Sequence, residues 1–135
     1  MLSESEIKET LHESRTIAVV GLSDNPERDS NGVARFLLRS GYTVIPVNPL
    51  LSGTVLGLPT YARLRDIPGR VDIVDVFRRS EFVPEIVDEA IEIGARVIWM
   101  QLGVIHPEAA KRAHAAGLKV VMDRCIAIEY RRLMR

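Results

Sequence analysis

Segments with the pattern of buried strands alternate with segments of helical periodicity along most of the chain, and this alternation restricts the possible folds more than any other feature. Each strand-like segment is a short, almost unbroken apolar run, which is typical of strands covered on both faces of a sheet. Strands that alternate with helices indicate βαβ units and a parallel sheet. The predicted strands are residues 16–21, 42–47, 71–77, 96–100 and 118–122.

Helical segments separate most of the predicted strands and flank them at both ends of the chain. Ser3 and Glu6 have the spacing of a capping box in front of the first helix, and glycine follows three later helices, where it commonly ends a helix. The predicted helices are residues 4–14, 33–40, 83–93, 107–116 and 126–135. A loop is predicted for residues 52–59 and about one helical turn for residues 61–66.

These elements predict a Rossmann-like, doubly wound α/β fold, with a mostly parallel five-stranded sheet and helices on both faces. Right-handed crossover connections, which βαβ units almost always use, distribute the helices over the two faces. A chain of 135 residues matches the usual size of one compact domain. We therefore predict a single domain over residues 1–135, with an N-terminal helix within residues 1–14 and a C-terminal helix within residues 125–135.

The charge balance and the first residues restrict the partners. Eighteen basic and eighteen acidic residues give no net charge, so no molecular field exists to gather nucleic acid or an anionic membrane. The chain begins with polar and acidic residues rather than a secretory signal, and no apolar run is long enough to span a bilayer. We expect a cytoplasmic protein with a small-molecule ligand. The single cysteine, Cys125, excludes an internal disulfide and a multi-cysteine metal site.

The segment after the first predicted strand is suited to an anion. In open α/β sheets, ligands bind beyond the carboxyl ends of strands, where strand order reverses. This segment leads into a helix, whose free N–H groups and dipole attract phosphate. Candidate ligand groups are the backbone at Gly21, the hydroxyls of Ser23 and Ser30, the side chain of Asn31 and the guanidinium of Arg28. The alternative is that residues 29–31 only cap the helix and that Arg28 is a solvated charge.

Two features argue against an ordinary nicotinamide or flavin site. The turn lacks the Gly-x-Gly-x-x-Gly fingerprint, and Asn48 ends the second strand where such enzymes place the acidic residue that binds the ribose diol. Without that carboxylate, a phosphorylated ribose is tolerated. Coenzyme A, with its 3′-phosphate, and NADP, with its 2′-phosphate, are both compatible with this position. Pro49 either ends the strand or contacts an adenine.

Polar and aromatic residues also follow the third and fourth predicted strands. Phe77, Arg78 and Arg79 combine a ring with two cations, although a solvated arginine pair in front of a helix explains them equally. Gln101 and Gly103 are suited to a polar ligand arm, and an ordinary turn at the end of the strand is the alternative.

No catalytic or metal site is predicted. His106 precedes Pro107 and is interpreted as a helix start, because proline is favoured at the first helical position. Cys125 is interpreted as a small buried hydrophobic residue rather than a nucleophile. Asp72 and Asp75 lie at odd spacing on one strand, so they face opposite sides and do not form an acid/base pair.

Six short blocks, taken in order, resemble those of small stand-alone CoA-binding proteins. The fold of these proteins is that of the N-terminal CoA-binding domain of the succinyl-CoA synthetase α subunit. The blocks are residues 17–23, Asn25-Pro26, Val47-Asn48-Pro49, residues 75–78, residues 99–103 and residues 122–125. The resemblance covers nearly the whole chain, but not the synthetase's phosphohistidine and nucleotide-grasp domains, so ligase activity is not implied.

The resemblance implies a position for each part of the cofactor. The phosphates lie at the loop that contains Gly21, Ser23, Asn25, Pro26, Arg28 and Ser30. The adenine and ribose lie near Val47, Asn48 and Pro49, and the pantetheine near Phe77, Arg78, Gln101 and Gly103. Related domains often have a basic residue after the second strand, where this chain has Leu50 and Leu51. Recognition of the 3′-phosphate would therefore fall to Arg28, Arg78 or Arg79.

We therefore predict binding of coenzyme A or an acyl-CoA without catalysis. Two alternatives stay open. The first is an NADP-dependent or acyl-transfer enzyme that uses the same sheet edge. The second is a regulatory protein that forms homo-oligomers through its terminal helices.

Overall fold

The computed structural model describes residues 2–134, and its main sheet has the predicted parallel architecture. Five parallel strands lie in the order β2-β1-β5-β6-β7. These strands are β1 (Thr16–Val20), β2 (Thr43–Val47), β5 (Ile73–Val76), β6 (Val97–Met100) and β7 (Lys119–Val121). Two further strands, β3 (Thr54–Val55) and β4 (Leu58–Pro59), form a small antiparallel hairpin within the predicted loop after β2.

Helices cover both faces of the sheet, as predicted. One face packs against α1 (Glu4–Glu13), α2 (Asp29–Arg39) and α5 (Ile126–Leu133), and the other against α3 (Val83–Glu92) and α4 (Pro107–Ala115). Short 3₁₀ turns occupy Leu64–Asp66 and Ser80–Phe82. Ser3 and Glu6 form the predicted capping box of α1. The predicted doubly wound α/β fold is confirmed.

The start of α2 differs from its prediction. The helix begins at Asp29 instead of residue 33, and Arg28 occupies the N-cap position without a side-chain cap hydrogen bond. The alternative that residues 29–31 cap this helix is therefore wrong. Ser30 and Asn31 lie inside the helix and are buried, because their side chains bond the loop after β1 instead of solvent. The predicted end of the last helix at residue 135 lies outside the described residues.

Strand order reverses between β1 and β5. The chain leaves β1 through α2 to reach β2 on one side, and later enters β5 on the other side of β1. Val20 pairs with Val76, so the loops that follow these strands start side by side. A Cβ atom at Gly21 would lie 2.4 Å from the carbonyl oxygen of Phe77. Glycine is required there because the two loop backbones approach so closely.

The core is built mainly from the strands and the apolar faces of the helices. Trp99, in β6, is fully buried, as its place in a predicted strand implies. Its indole Nε1 donates a 2.8 Å hydrogen bond to the carbonyl oxygen of Arg124, which anchors the loop after β7. Within residues 2–134, no helix combines the length and apolar character needed to cross a bilayer.

Candidate functional site

An open cleft of about 740 Å³ lies at the carboxyl end of the sheet, beside the reversal of strand order. Helices α2 and α5 contribute lining residues, together with the loops after β1, β5, β6 and β7. We call this space the cleft. Its described lining is Pro26, Glu27, Arg28, Asp29, Gly32, Val33, Arg35, Phe36, Phe77, Arg78, Arg79, Gln101, Leu102, Gly103, Val104, Cys125, Ala127, Ile128 and Arg131. This position is where open α/β sheets bind ligands.

The cleft is strongly cationic although the chain has no net charge. Among the described residues, five arginines and two carboxylates line it. The arginines are Arg28, Arg35, Arg78, Arg79 and Arg131, and the carboxylates are Glu27 and Asp29. This local excess of positive charge favours an anionic ligand, and arginine is well suited to phosphate because its guanidinium donates hydrogen bonds in pairs.

One wall of the cleft is apolar and was not predicted. Val33 and Phe36 of α2 and Ala127 and Ile128 of α5 line it, and the two helices contact each other through the rings of Phe36 and Tyr130. Ile128 is 48 % exposed and lines the cleft. The only sequence signal was an apolar residue on a terminal helix, which does not by itself indicate a ligand wall.

The loop after β1 borders a smaller depression of about 470 Å³ beside the cleft. Gly21, Ser23, Ser30, Phe77 and three charged residues line it: Glu27, Arg28 and Asp29. No side chain caps α2, and the backbone N–H groups of Asp29 and Ser30 have no hydrogen-bond partner in the described chain. Unpartnered N–H groups at a helix start are a favourable environment for phosphate.

Internal hydrogen bonds order this loop before any ligand arrives. Ser30 Oγ accepts from the Ser23 N–H at 3.0 Å, and Asn31 Nδ2 donates to the Ser23 carbonyl at 2.9 Å. Ser23 Oγ accepts from the Asn25 N–H, and Asn25 Oδ1 accepts from the Glu27 N–H. Each serine keeps its hydroxyl proton for a ligand, because these bonds use the serine oxygens as acceptors. Asn25 shapes the loop but does not line the cleft.

The exit of β2 lies apart from the cleft. Val47 is buried, and its carbonyl accepts the Gly21 N–H at 2.8 Å. Asn48 Nδ2 donates to the carbonyl of Leu22, while Asn48 Oδ1 accepts from the Leu50 N–H. The Asn48 side chain therefore joins two loops. Neither it nor Pro49 lines the cleft, so adenine binding at residues 47–49 stays a prediction.

The exits of β5 and β6 meet in the cleft. The guanidinium carbon of Arg78 lies 4.3 Å from the ring centroid of Phe82, so this cation is held over an aromatic face. Ser80 Oγ accepts the Ile105 N–H at 2.9 Å, which connects the two loops. The Gly103 N–H donates to Asp123 Oδ1 at 2.7 Å and is therefore already used within the protein.

Gln101 forms a buried pair with Asp75. Gln101 Nε2 donates to Asp75 Oδ1 at 2.6 Å, while Asp75 Oδ2 is buried without a partner. Burial raises the pKa of Asp75 to about 7, opposed by the hydrogen bond from Gln101. Asp72 lies immediately before β5 and accepts hydrogen bonds from the N–H groups of Arg15 and Thr16. The two carboxylates have separate surroundings, as predicted.

The structure separates the two candidate catalytic residues. His106 Nδ1 accepts the Ala109 N–H at 3.0 Å and caps α4, which confirms the predicted helix start. Cys125 lines the cleft and is half-buried, so the prediction that it is a buried hydrophobic residue is wrong. It follows β7 at the same sheet edge as the other exits.

In the part of the chain that the structure describes, no group of three potential ligands among His, Cys, Asp and Glu is placed to hold a metal ion.

An ion-pair network holds the α5 wall in place. Glu129 is buried and accepts hydrogen bonds from Arg132 Nη2 at 2.8 Å and Arg124 Nη1 at 2.7 Å. These hydrogen bonds hold the pKa of Glu129 below its usual range although burial opposes them, and the hydrogen bond from Arg132 has the largest effect. Arg132 also bonds Glu4 of α1. The network therefore joins both terminal helices to the loop that contains Cys125.

Comparison with known proteins identifies relatives over nearly the whole chain. The family model of the CoA binding domain matches residues 15–131. The protein YneT of Bacillus subtilis is 44 % identical over 128 residues, which are 95 % of this chain and 94 % of that protein. A solved structure of a Pyrococcus horikoshii OT3 protein has a TM-score of 0.95 and 42 % identity, covering 99 % of this chain and 94 % of that one.

A longer enzyme subunit also contains a related segment. The α subunit of acetate–CoA ligase (ADP-forming) II from Pyrococcus furiosus is 28 % identical over 125 residues. The match covers 84 % of this chain but only 27 % of that subunit.

Proposed function

Because this chain belongs to the CoA binding domain family, we propose that it binds coenzyme A or an acyl-CoA in the cleft and catalyses no reaction on it. Membership in the family confirms the resemblance predicted from the sequence blocks. The observation that carries the proposal is the arginine excess of the cleft in a chain without net charge. The activity of the P. furiosus ligase belongs to a subunit of which this chain matches only 27 %.

The pyrophosphate is assigned to the start of α2. The unpartnered N–H groups of Asp29 and Ser30, with the hydroxyls of Ser23 and Ser30, provide donors at one point. Glu27 and Asp29 add negative charge there, so the arginines from other loops are needed to balance it. From this point the pantetheine arm extends past Phe77 and Gln101 toward the apolar wall of α2 and α5.

Arginine side chains are assigned to the 3′-phosphate. Leu50 and Leu51 offer no cation after β2, and Leu50 is 89 % exposed. Arg28, Arg78 and Arg79 are the candidates from the sequence, and the cleft adds Arg35 and Arg131. Arg35 is already bonded to Asn31 Oδ1 and to the Pro26 carbonyl, and Arg131 lies 4.4 Å from the Phe36 ring centroid. The guanidinium carbon of Arg78 likewise lies 4.3 Å from the Phe82 ring centroid, so the ring contacts do not rank Arg78 against Arg131. We keep Arg28, Arg78 and Arg79 as the candidates to be tested.

A calorimetric titration of the purified protein with coenzyme A and with dephospho-CoA tests the proposal. Binding of both compounds is expected, with coenzyme A the tighter ligand because its 3′-phosphate gains an arginine contact. If neither compound binds with a Kd below about 1 mM, which corresponds to a binding free energy of about −4 kcal/mol, the proposal is wrong.

The variants Arg28→Ala and Arg78→Ala are expected to weaken coenzyme A binding about tenfold or more, because each removes a charge-assisted hydrogen bond. Arg39→Ala is the matched control, since Arg39 is an exposed arginine at the far end of α2 that does not line the cleft. The variant that removes the preference for coenzyme A over dephospho-CoA identifies the 3′-phosphate contact. Equal affinities in all three variants would contradict this assignment of phosphate contacts.

An acyl-transfer enzyme is the second candidate, because the Cys125 thiol lines the cleft. His106 does not support it, since its Nδ1 is occupied in capping α4. Incubation with acetyl-CoA, and with NADPH for the redox alternative, tests catalysis. Turnover that is abolished by Cys125→Ser or His106→Ala would establish an enzyme. Absence of turnover favours the binding role, and rates unchanged in both variants would remove the hypothesis that Cys125 or His106 is catalytic.

The remaining predictions are retained as parts of this proposal. We propose that residues 1–135 form one domain of a cytoplasmic protein that does not bind nucleic acid or membranes. We also propose that the terminal helices form the interface of a homo-oligomer, and Ile128 of α5 is an exposed apolar side chain on one of them. Sedimentation that gives a monomer at every concentration would contradict the oligomer.

A further inference from the structure

A buried carboxylate lies directly beneath one lining residue of the cleft. Asp75 has no exposed surface, and Gln101 is 3 % exposed but still lines the cleft. The two side chains meet through one 2.6 Å contact between Gln101 Nε2 and Asp75 Oδ1. An ionised carboxylate only accepts hydrogen bonds, so it holds the amino group of the carboxamide inward.

The other atom of the carboxamide is available to a ligand. Gln101 Oε1 accepts no hydrogen bond in the described chain, yet it is not among the buried atoms that lack a partner. It therefore reaches solvent on the cleft side. When Asp75 is ionised, Gln101 therefore presents a hydrogen-bond acceptor, Oε1, to the cleft.

Protonation of Asp75 changes this arrangement. A proton on Oδ2 would be a buried donor without an acceptor, because Oδ2 has no partner. A proton on Oδ1 finds an acceptor if the Gln101 carboxamide rotates by half a turn and turns Oε1 inward. The rotated carboxamide leaves no buried donor unsatisfied, which is the favoured arrangement in a protein interior. It also turns Nε2, a donor, toward the cleft.

We propose that Asp75 is a positioning residue, and that its protonation state decides whether Gln101 offers an acceptor or a donor to the bound ligand. The inference rests on the proposed function and deepens it. The pantetheine arm carries two amide groups, each with one N–H donor and one carbonyl acceptor. The ionised form of Asp75 selects a pose in which a pantetheine N–H donates to Gln101 Oε1.

The switch operates near neutral pH because the pKa of Asp75 is raised to about 7 by burial. Its flanking partners in the sheet, Val19 and Trp99, carry no charge. On α5, Glu129 is paired with Arg124 and Arg132. The charged groups around the cleft are Glu27, Arg28, Asp29 and Arg35 from α2 and its preceding loop, Arg78 and Arg79 after β5, and Arg131 on α5. None of them contributes to the raised pKa of Asp75, which reflects burial and the Gln101 hydrogen bond.

The ligand-free protein gives a direct test by nitrogen-15 NMR. The side-chain NH₂ signals of Gln101, assigned by their loss in Gln101→Met, are expected to move with pH around a midpoint near the Asp75 pKa of about 7. The variant Asp75→Asn cannot change protonation state, so its Gln101 signals are expected to stay constant. Signals that do not titrate in the wild type, or that titrate equally in Asp75→Asn, would overturn the inference.

Ligand binding gives the second test, with dephospho-CoA as the probe. The second ionisation of the 3′-phosphate of coenzyme A falls near pH 6 and would obscure the effect, whereas dephospho-CoA lacks that group. Wild-type affinity is expected to change by about three- to tenfold across the Asp75 pKa, as the gain or loss of one hydrogen bond would give, because the two forms of Gln101 need different groups of the pantetheine amides. Asp75→Asn and Gln101→Met are expected to lose this dependence.

The outcomes separate the inference from the proposed function. Binding with the same pH profile in the wild type and in Asp75→Asn refutes the positioning role and leaves coenzyme A binding intact. Absence of binding of both dephospho-CoA and coenzyme A at every pH refutes the proposed function, and the NMR titration still decides whether Asp75 orients Gln101.

Discussion

Replacing Asp75 with asparagine is expected to abolish the fall in stability with pH, so that the free energy of unfolding of the variant relative to the wild type rises by about 4 kcal/mol between strongly acidic pH and pH above 7. The pKa of Asp75 is about 7 in the folded protein against 3.8 for the free side chain. Between those values the folded state binds more protons than the unfolded state, so wild-type stability falls by about 1.4 kcal/mol per pH unit. Asparagine removes this loss, and its side-chain oxygen still accepts from Gln101. Its amino group takes the place of Oδ2 and is a buried donor without an acceptor, which lowers stability by about 1 to 3 kcal/mol at every pH.

Denaturant unfolding of both proteins across this pH range measures the effect. Asp72→Asn, immediately before the same strand, is the matched control, and an effect on stability of the opposite sign is expected. The N–H groups of Arg15 and Thr16 hold the pKa of Asp72 below its usual range, even against the effect of burial. The ionised form of Asp72 therefore stabilises the fold at pH values above the pKa of the free side chain. Asp72→Asn is expected to lower the free energy of unfolding at neutral pH. Equal pH profiles for wild type and Asp75→Asn would show that Asp75 is not the buried acid inferred here.

Gly21→Ala is expected to destabilise the fold by about 3 kcal/mol or more and to disrupt the cleft. The backbone at Gly21 has φ of +90°, where a Cβ atom is strained by about 1 kcal/mol. The added Cβ would also lie 2.4 Å from the Phe77 carbonyl oxygen, and relief of such overpacking costs about 1 to 3 kcal/mol more. The resulting shift would move Phe77 and Arg78, which line the cleft.

Gly41→Ala separates the two causes. Gly41 has φ of +97°, but no heavy atom lies within 4 Å of the position of its Cβ. Its variant therefore suffers only the backbone strain, and a loss of about 1 kcal/mol is expected. Thermal and denaturant unfolding give the stabilities, and a coenzyme A titration reports the cleft. Similar losses in the two variants would show that the contact between the β1 and β5 loops is not tight.

The elements of the fold that could be predicted are those that the local pattern of apolar residues indicates. The apolar runs locate all five parallel strands, because a strand covered on both faces has almost no polar positions. The start of α2 was missed since Ser30 and Asn31 are polar but buried, which a periodicity of apolar residues does not detect. Their burial depends on hydrogen bonds to Ser23, seven and eight residues away.

The candidate site was predictable to the extent that it follows strand ends. Arg28, Phe77, Arg78, Gln101 and Gly103 come together in the cleft, because parallel strands end at the same edge. Residues 47–49 also follow a strand but lie outside it. Strand order places β2 at one margin of the sheet, and Asn48 is engaged with the neighbouring loop.

The sequence alone determined the alternation of strands and helices, the parallel sheet with helices on both faces, and the edge at which polar residues gather. These properties depend on local patterns and on the handedness of the chain, which each segment carries by itself. Only the tertiary structure decided which strand exits share one cleft, that α5 forms its apolar wall, and that Asp75 lies beneath Gln101. The latter two residues are 26 positions apart and meet only through the pairing of β5 with β6. Such a contact depends on strand order and register, and no local pattern of residues contains that information.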